Sequence, residues 1–112
     1  MFVRYLVNFV LGACIWVPVL SWSATQGPYT IMIKDHLFNP SSLSIPAGQK
    51  IKLTVENQDP TVEEFESFDL NREKIVSGNK KIIIFIGPLS KGTYKYFGDF
   101  HQKTAQGTMV AQ

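Results

Sequence analysis

The chain has 112 residues, enough for one domain and too few for two of ordinary size. Eleven Lys and Arg stand against nine Asp and Glu, a near-balance that offers no basic footprint for nucleic acid. Cys14 is the only cysteine, so no intrachain disulfide is available and stability must come from the core.

Residues 1–23 differ from the rest. Arg4 charges a short start, residues 5–20 run almost without polar interruption, and Ser21-Trp22-Ser23-Ala24 supplies small residues. This is the layout of a secretory signal peptide, with the cut expected after Ser23. Cleavage after Ala24 would force Trp22 into a small-residue pocket. One rival is an uncleaved anchor, although the run is shorter than the ~20 apolar residues of a spanning helix. The other is a lipoprotein box at Leu11-Gly12-Ala13-Cys14, which would leave apolar residues 15–20 where a polar linker belongs. Residues 24–112 form the expected domain.

Beyond residue 24 the apolar positions alternate and turn residues recur at short intervals, a pattern of strands rather than helices. Tyr29, Ile31 and Ile33 alternate with Thr30, Met32 and Lys34. Asn39-Pro40 with Ser41-Ser42 reads as a bend. Leu43 and Ile45 mark a second strand, ended by Pro46 and turned by Ala47-Gly48. Ile51, Leu53 and Val55 alternate with Lys52, Thr54 and Glu56 in the clearest half-buried strand.

Residues 57–60 read as a loop, 64–70 as a strand with acids on mixed faces, and 74–76 as a further short strand. Residues 82–86 are continuously apolar, which predicts a strand buried on both faces. Residues 93–97 form an aromatic-rich strand and 108–111 close the sheet. Seven or eight such strands fit an all-β, Greek-key, two-sheet β-sandwich preceded by a hydrophobic signal segment.

The order of these features resembles the cupredoxin family. Phe38-Asn39-Pro40, then Leu43-Ser44-Ile45-Pro46-Ala47-Gly48, then 51–55 and Asn57 look like its opening half. Gly92-Thr93-Tyr94-Lys95-Tyr96 through His101 to Gly107 resembles its closing ligand loop. More narrowly, Glu63-Glu64-Phe65-Glu66-Ser67 with Asn71-Arg72-Glu73-Lys74 resembles the EfeO-type cupredoxin-like domain. That family implies a periplasmic partner of a high-affinity iron permease, binding copper or iron, with acids where other cupredoxins carry their first histidine.

The departures bear on function. A blue-copper site needs two His and a Cys, usually with a distant Met. By the resemblance, the first His position falls on Glu63 or Glu64, the Cys position on Gly98, and the Met position near Ala105 or Gln106. Only His101 matches, which argues against a type 1 electron carrier.

The remaining donors are His36, Glu63, Glu64, Glu66, Asp99 and His101. Imidazole with carboxylate suits Cu(II), Zn(II) or iron better than Cu(I). Each has a plainer alternative. A lone histidine is more often a surface or hydrogen-bonding residue, and the acids of 63–66 can serve as a solvated edge against aggregation. Crowded acids otherwise need a cation, from Arg72, Lys74 or a metal. Tyr94, Tyr96, Phe97 and Met109 read as packing. With no nucleophile–base–acid set, the chain is not expected to be an enzyme or to bind a small-molecule substrate.

The leading expectation is a periplasmic metal-binding accessory protein with a membrane permease or other uptake component as partner. The rival is a metal-free interaction module for a membrane partner. A third reading is a subunit of a redox enzyme that receives its metal from elsewhere.

Overall fold

The computed structural model describes residues 12–14 and 29–112. Residues 12–14 carry no regular structure. The expected cleavage site and most of the apolar segment lie outside the described residues.

Nine strands follow in chain order: β1 Tyr29–Lys34, β2 Leu37–Asn39, β3 Ser42–Ile45, β4 Ile51–Asn57, β5 Glu63–Ser67, β6 Arg72–Val76, β7 Lys81–Ile86, β8 Gly92–Phe97 and β9 Gln106–Ala111. A 3₁₀ turn, Asp99–His101, joins the last two. The strands form a four-stranded sheet ordered β2-β1-β4-β7 and a five-stranded sheet ordered β3-β9-β8-β5-β6. The expected all-β two-sheet sandwich is the fold of the protein.

Period-two alternation builds the core. Ile31 and Ile33 of β1 and Ile51, Leu53 and Val55 of β4 turn inward, opposite Phe65, Tyr96 and Met109 of the other sheet. Phe38, Phe65 and Tyr96 form an aromatic group at one end, with ring centroids 5.0–6.2 Å apart. Two of its pairs meet edge to face, the arrangement that ring quadrupoles favour. Burial pushes the Tyr96 phenol up to about 12, so it stays neutral in the core.

Parallel pairing closes each sheet: β1 runs parallel to β4, and β3 parallel to β9. The chain passes between sheets at β2 to β3, where the sequence suggests only a bend. Leu37 to Asn39 instead pair with β1, raising the strand number above the expected eight.

A second difference concerns β7. Its apolar run predicts burial on both faces, yet Ile83 and Phe85 are each 52% exposed while Ile84 and Ile86 are buried. The sandwich has only two layers, so β7, like every strand in it, has one face with no layer to pack against. Phe97, also read as core, stands outward beside the 79%-exposed Phe68, their centroids 5.4 Å apart. Its register partner Gln106 shows the same outward setting. Met109 and Tyr96 are core residues, as their pattern suggests.

Candidate metal centre

The six sequence-selected donors gather at one end of the sandwich in two groups of three: His36 with Glu63 and His101, and Glu64 with Glu66 and Asp99. Alternation along β5 separates them. Glu63 shares the inward face of Phe65 and Ser67, whereas Glu64 and Glu66 point outward.

Glu63 is fully buried at the end of the core, above the aromatic group. Its two carboxylate oxygens serve two imidazoles. His36 Nδ1 donates to Oε1 at 2.6 Å, and His101 Nδ1 donates to Oε2 at 3.1 Å. The rings stack, with centroids 3.5 Å apart and planes 14° from parallel. Both imidazoles keep an accessible edge, with side chains 40% and 34% exposed. The group is therefore a buried carboxyl beneath two half-open imidazoles.

The backbone aims these side chains with some strain. His36 and Asp35 form the two-residue connection of the β1–β2 hairpin, and both have positive φ, 57° and 53°. Such a turn suits the twist of the flanking strands, although non-glycine residues enter it at a cost. Asp59 holds it in place. Its Oδ1 accepts from the Asp35 amide at 2.7 Å and its Oδ2 from the His36 amide at 3.1 Å. Burial would raise the Asp59 carboxyl, but the two amides, the Glu63 side chain and the nearby His36 ring together hold it below the ordinary range. In the sequence Asp59 is one more polar residue of the loop 57–60, with no letter to mark this role.

Asn57 secures the same loop. Buried at the end of β4, it donates through Nδ2 to the carbonyls of Thr61, Val76 and Ser77, and its Oδ1 accepts from the Asp59 amide. His101 arrives from the 3₁₀ turn, whose backbone is tied by the Ala105 amide donating to the His101 carbonyl at 2.8 Å.

The second group is different in kind. Glu64 faces outward yet is only 3% exposed, because the 3₁₀ turn lies against β5. Glu66 pairs directly with Glu73 across β5 and β6, a repulsive placement. Burial, joined by Glu66, Asp99 and Glu73, lifts the Glu64 carboxyl to about 7. Glu66 is raised as well, by burial and then by Glu73 and Asp99. The cations considered from sequence do not compensate. Arg72 donates to the carbonyls of Phe85, Leu70 and Asn71, and among the described residues the ion pairs involve only the two histidines.

A pH dependence follows. Folded Glu64 holds its proton up to about 7, whereas the unfolded chain releases it near 4.5. Across that window the folded state binds more protons, so stability falls as pH rises and the loss is complete above it. Glu64→Gln is expected to flatten this slope, by about 2 kcal/mol between about pH 5 and about pH 8. Urea unfolding of chelator-treated protein at both pH values measures it; an unchanged slope would assign the effect elsewhere.

Gly98, where the resemblance would place a thiolate, has extended backbone at φ −102° and ψ 113° that any residue can adopt. Space is the obstacle. A Cβ there would fall 2.8 Å from the Ala105 Cβ and 3.1 Å from the Glu64 carbonyl oxygen. Gly98→Ala is expected to destabilise by about 1–3 kcal/mol through overpacking, with Ala105→Gly restoring much of the loss. Thermal unfolding of the single and double variants decides this.

Comparison with known proteins agrees with the fold. The family model for the cupredoxin-like domain matches residues 7–111. The chain belongs to the cupredoxin-like domain family. It is 52% identical over 80 residues to the uncharacterized protein RP394 of Rickettsia prowazekii (strain Madrid E), covering 71% of this chain and 64% of that one. The chain thus spans under two thirds of the length of that relative. Among solved structures, auracyanin A of Chloroflexus aurantiacus, titled a "blue" copper protein, is similar with a TM-score of 0.64 at 17% identity, covering 77% of this chain and 100% of that one. A purple cupredoxin from Nitrosopumilus maritimus gives 0.59 at 20% identity, with 75% and 99% covered. Amicyanin from Paracoccus versutus gives 0.60 at 14% identity, with 80% and 86% covered. At these identities the likeness is one of fold.

The His36–Glu63–His101 group passes a geometric test for a metal. A first-row ion lies about 2 Å from nitrogen or oxygen ligands, which sets the ligands roughly 3 Å apart. The two contacts between ring nitrogen and carboxylate, 2.6 and 3.1 Å, already fall near that spacing. Ligation through Nδ1 requires each ring to give up the proton it shares with Glu63, either to solvent or to its other nitrogen.

Proposed function

We propose that this is an exported metal-binding accessory protein of the EfeO type, taking copper or iron at His36, Glu63 and His101 and supporting a high-affinity iron or copper uptake system. The observation that carries the reading is the buried Glu63 carboxylate shared by two stacked, half-exposed imidazoles. A nitrogen and oxygen donor set favours Cu(II) or iron over Cu(I). The accessible ring edges suit an ion that must enter and leave. The second acidic group, Glu64, Glu66 and Asp99, is set apart from it by the alternation of β5.

The proposal excludes a type 1 electron carrier, since residues 29–112 contain no cysteine and Gly98 has no room for one. No enzymatic step is assigned to the protein. Its place is the periplasm or another extracytoplasmic space, with the N-terminal segment acting as a signal or as an inner-membrane anchor. The partner is a membrane iron permease or a related uptake component.

Titration of the protein with Cu(II), Fe(III) and Zn(II), followed by calorimetry, tests this. Micromolar or tighter binding that His101→Ala weakens at least about tenfold supports it. Glu64→Gln run in parallel should have a smaller effect, because Glu64 faces away from the imidazoles. No binding, or binding indifferent to His101, leaves a metal-free interaction module built on the same sandwich.

A further inference from the structure

The near-neutral charge of the chain hides a separation between the two outer faces. On the four-stranded sheet the register aligns Lys52 with Phe85, Thr54 with Ile83, and Glu56 with Lys81. Lys34 shares the outward side of β1, and Lys50 reaches over the Phe85 ring at 5.1 Å. Four lysines thus frame two half-exposed apolar side chains, against one acid, Glu56. On the five-stranded sheet the accessible outward acids are Glu66 and Glu73 with Asp99 alongside, against Lys95.

We propose that the outer face of the four-stranded sheet docks on an anionic lipid surface, with Lys34, Lys50, Lys52 and Lys81 meeting the phosphates and Ile83 and Phe85 entering the headgroup layer. Charge complementarity points to the occupant. The acidic far face is repelled by the same surface, which fixes which side turns down. The residue types point the same way. All the basic charge on this face is lysine, a flexible point charge suited to a diffuse anionic layer, while specific recognition of a single phosphate or carboxylate favours arginine. Arg72 is engaged elsewhere: its guanidinium donates to the Phe85 carbonyl at 3.0 Å and blocks part of the β7 edge from strand addition. Lysine stems lying along apolar side chains also match the way such residues reach a membrane interface.

The test uses the full chain added to vesicles of phosphatidylglycerol or of phosphatidylcholine, with lysine acetylation read by mass spectrometry. The apolar N-terminal segment is present in both samples, so a difference between lipids reports on the domain. Labelling of Lys34, Lys50, Lys52 and Lys81 should slow roughly fivefold or more on phosphatidylglycerol, and salt at about 0.5 M should restore it. Lys95, on the opposite face, should label alike on both lipids. The combined variant Lys50→Gln, Lys52→Gln, Lys81→Gln should lose the lipid preference at Lys34. Equal labelling on both lipids overturns the proposal. Protection without lipid that grows with protein concentration overturns it too, and assigns the face to a second copy of the chain.

Discussion

Glu63→Gln is expected to lower Cu(II) affinity by at least about 100-fold while leaving the protein folded. The carboxylate is the one group that contacts both imidazoles, and it supplies the anionic oxygen of the donor set. Glutamine preserves its shape and offers one acceptor and one donor. The rings can meet both by choosing tautomers, since an imidazole nitrogen accepts as readily as it donates. Stability should therefore change by less than about 1 kcal/mol. Glu63→Ala separates the two roles differently, because it empties a fully buried volume, takes the partner of His101 Nδ1 and leaves His36 Nδ1 only Asp59, at 3.5 Å. That variant should lose about 3 kcal/mol as well as the metal. Calorimetric titration and urea unfolding of both variants read the two effects. Unchanged Cu(II) affinity in Glu63→Gln would remove this residue from the centre and the proposed function with it.

Asn57→Leu is expected to cost about 4 kcal/mol, the largest stability loss foreseen here. Asn57 is 1% exposed, and its amide ties three carbonyls while its oxygen takes the Asp59 amide. Leucine fills the volume and satisfies none of these groups; the Val76 carbonyl and the Asp59 amide then stay buried and unpaired, at roughly 1–3 kcal/mol each. The damage should also reach the metal centre. Asp59 anchors the strained turn carrying His36, and the same loop leads into Glu63. Cu(II) affinity should fall together with stability, even though Asn57 touches neither imidazole. A variant that unfolds at the same urea concentration as the parent would show that water replaces the lost partners.

The fold was legible where one face of a strand is buried and the other is wet. β4 shows this best, with Ile51, Leu53 and Val55 inward and Lys52 outward. The reading failed at β7, where an unbroken apolar run looks the same whether both faces are covered or one is wet, and the number of layers is set by the whole fold rather than by one strand's composition. The donors of the site were all readable as residue types, but their division was not. Glu63 and Glu64 are neighbours of the same chemistry, and only the phase of β5 decides which one meets the histidines. Asp59 was hidden for a related reason. Its partners are backbone amides of a turn far back in the chain, and amides have no letter in a sequence.

The parallel pairings have a kinetic consequence. Ser42 lies opposite Thr108, and β9 separates β3 from the rest of its sheet. β3 therefore cannot dock until nearly the whole domain has been synthesised and a long loop has closed around it. Such non-local topology folds on the millisecond-to-second scale rather than in microseconds. Until β9 emerges, β3 of a nascent chain has no strand of its own sheet to lie against, so the five-stranded layer is completed last.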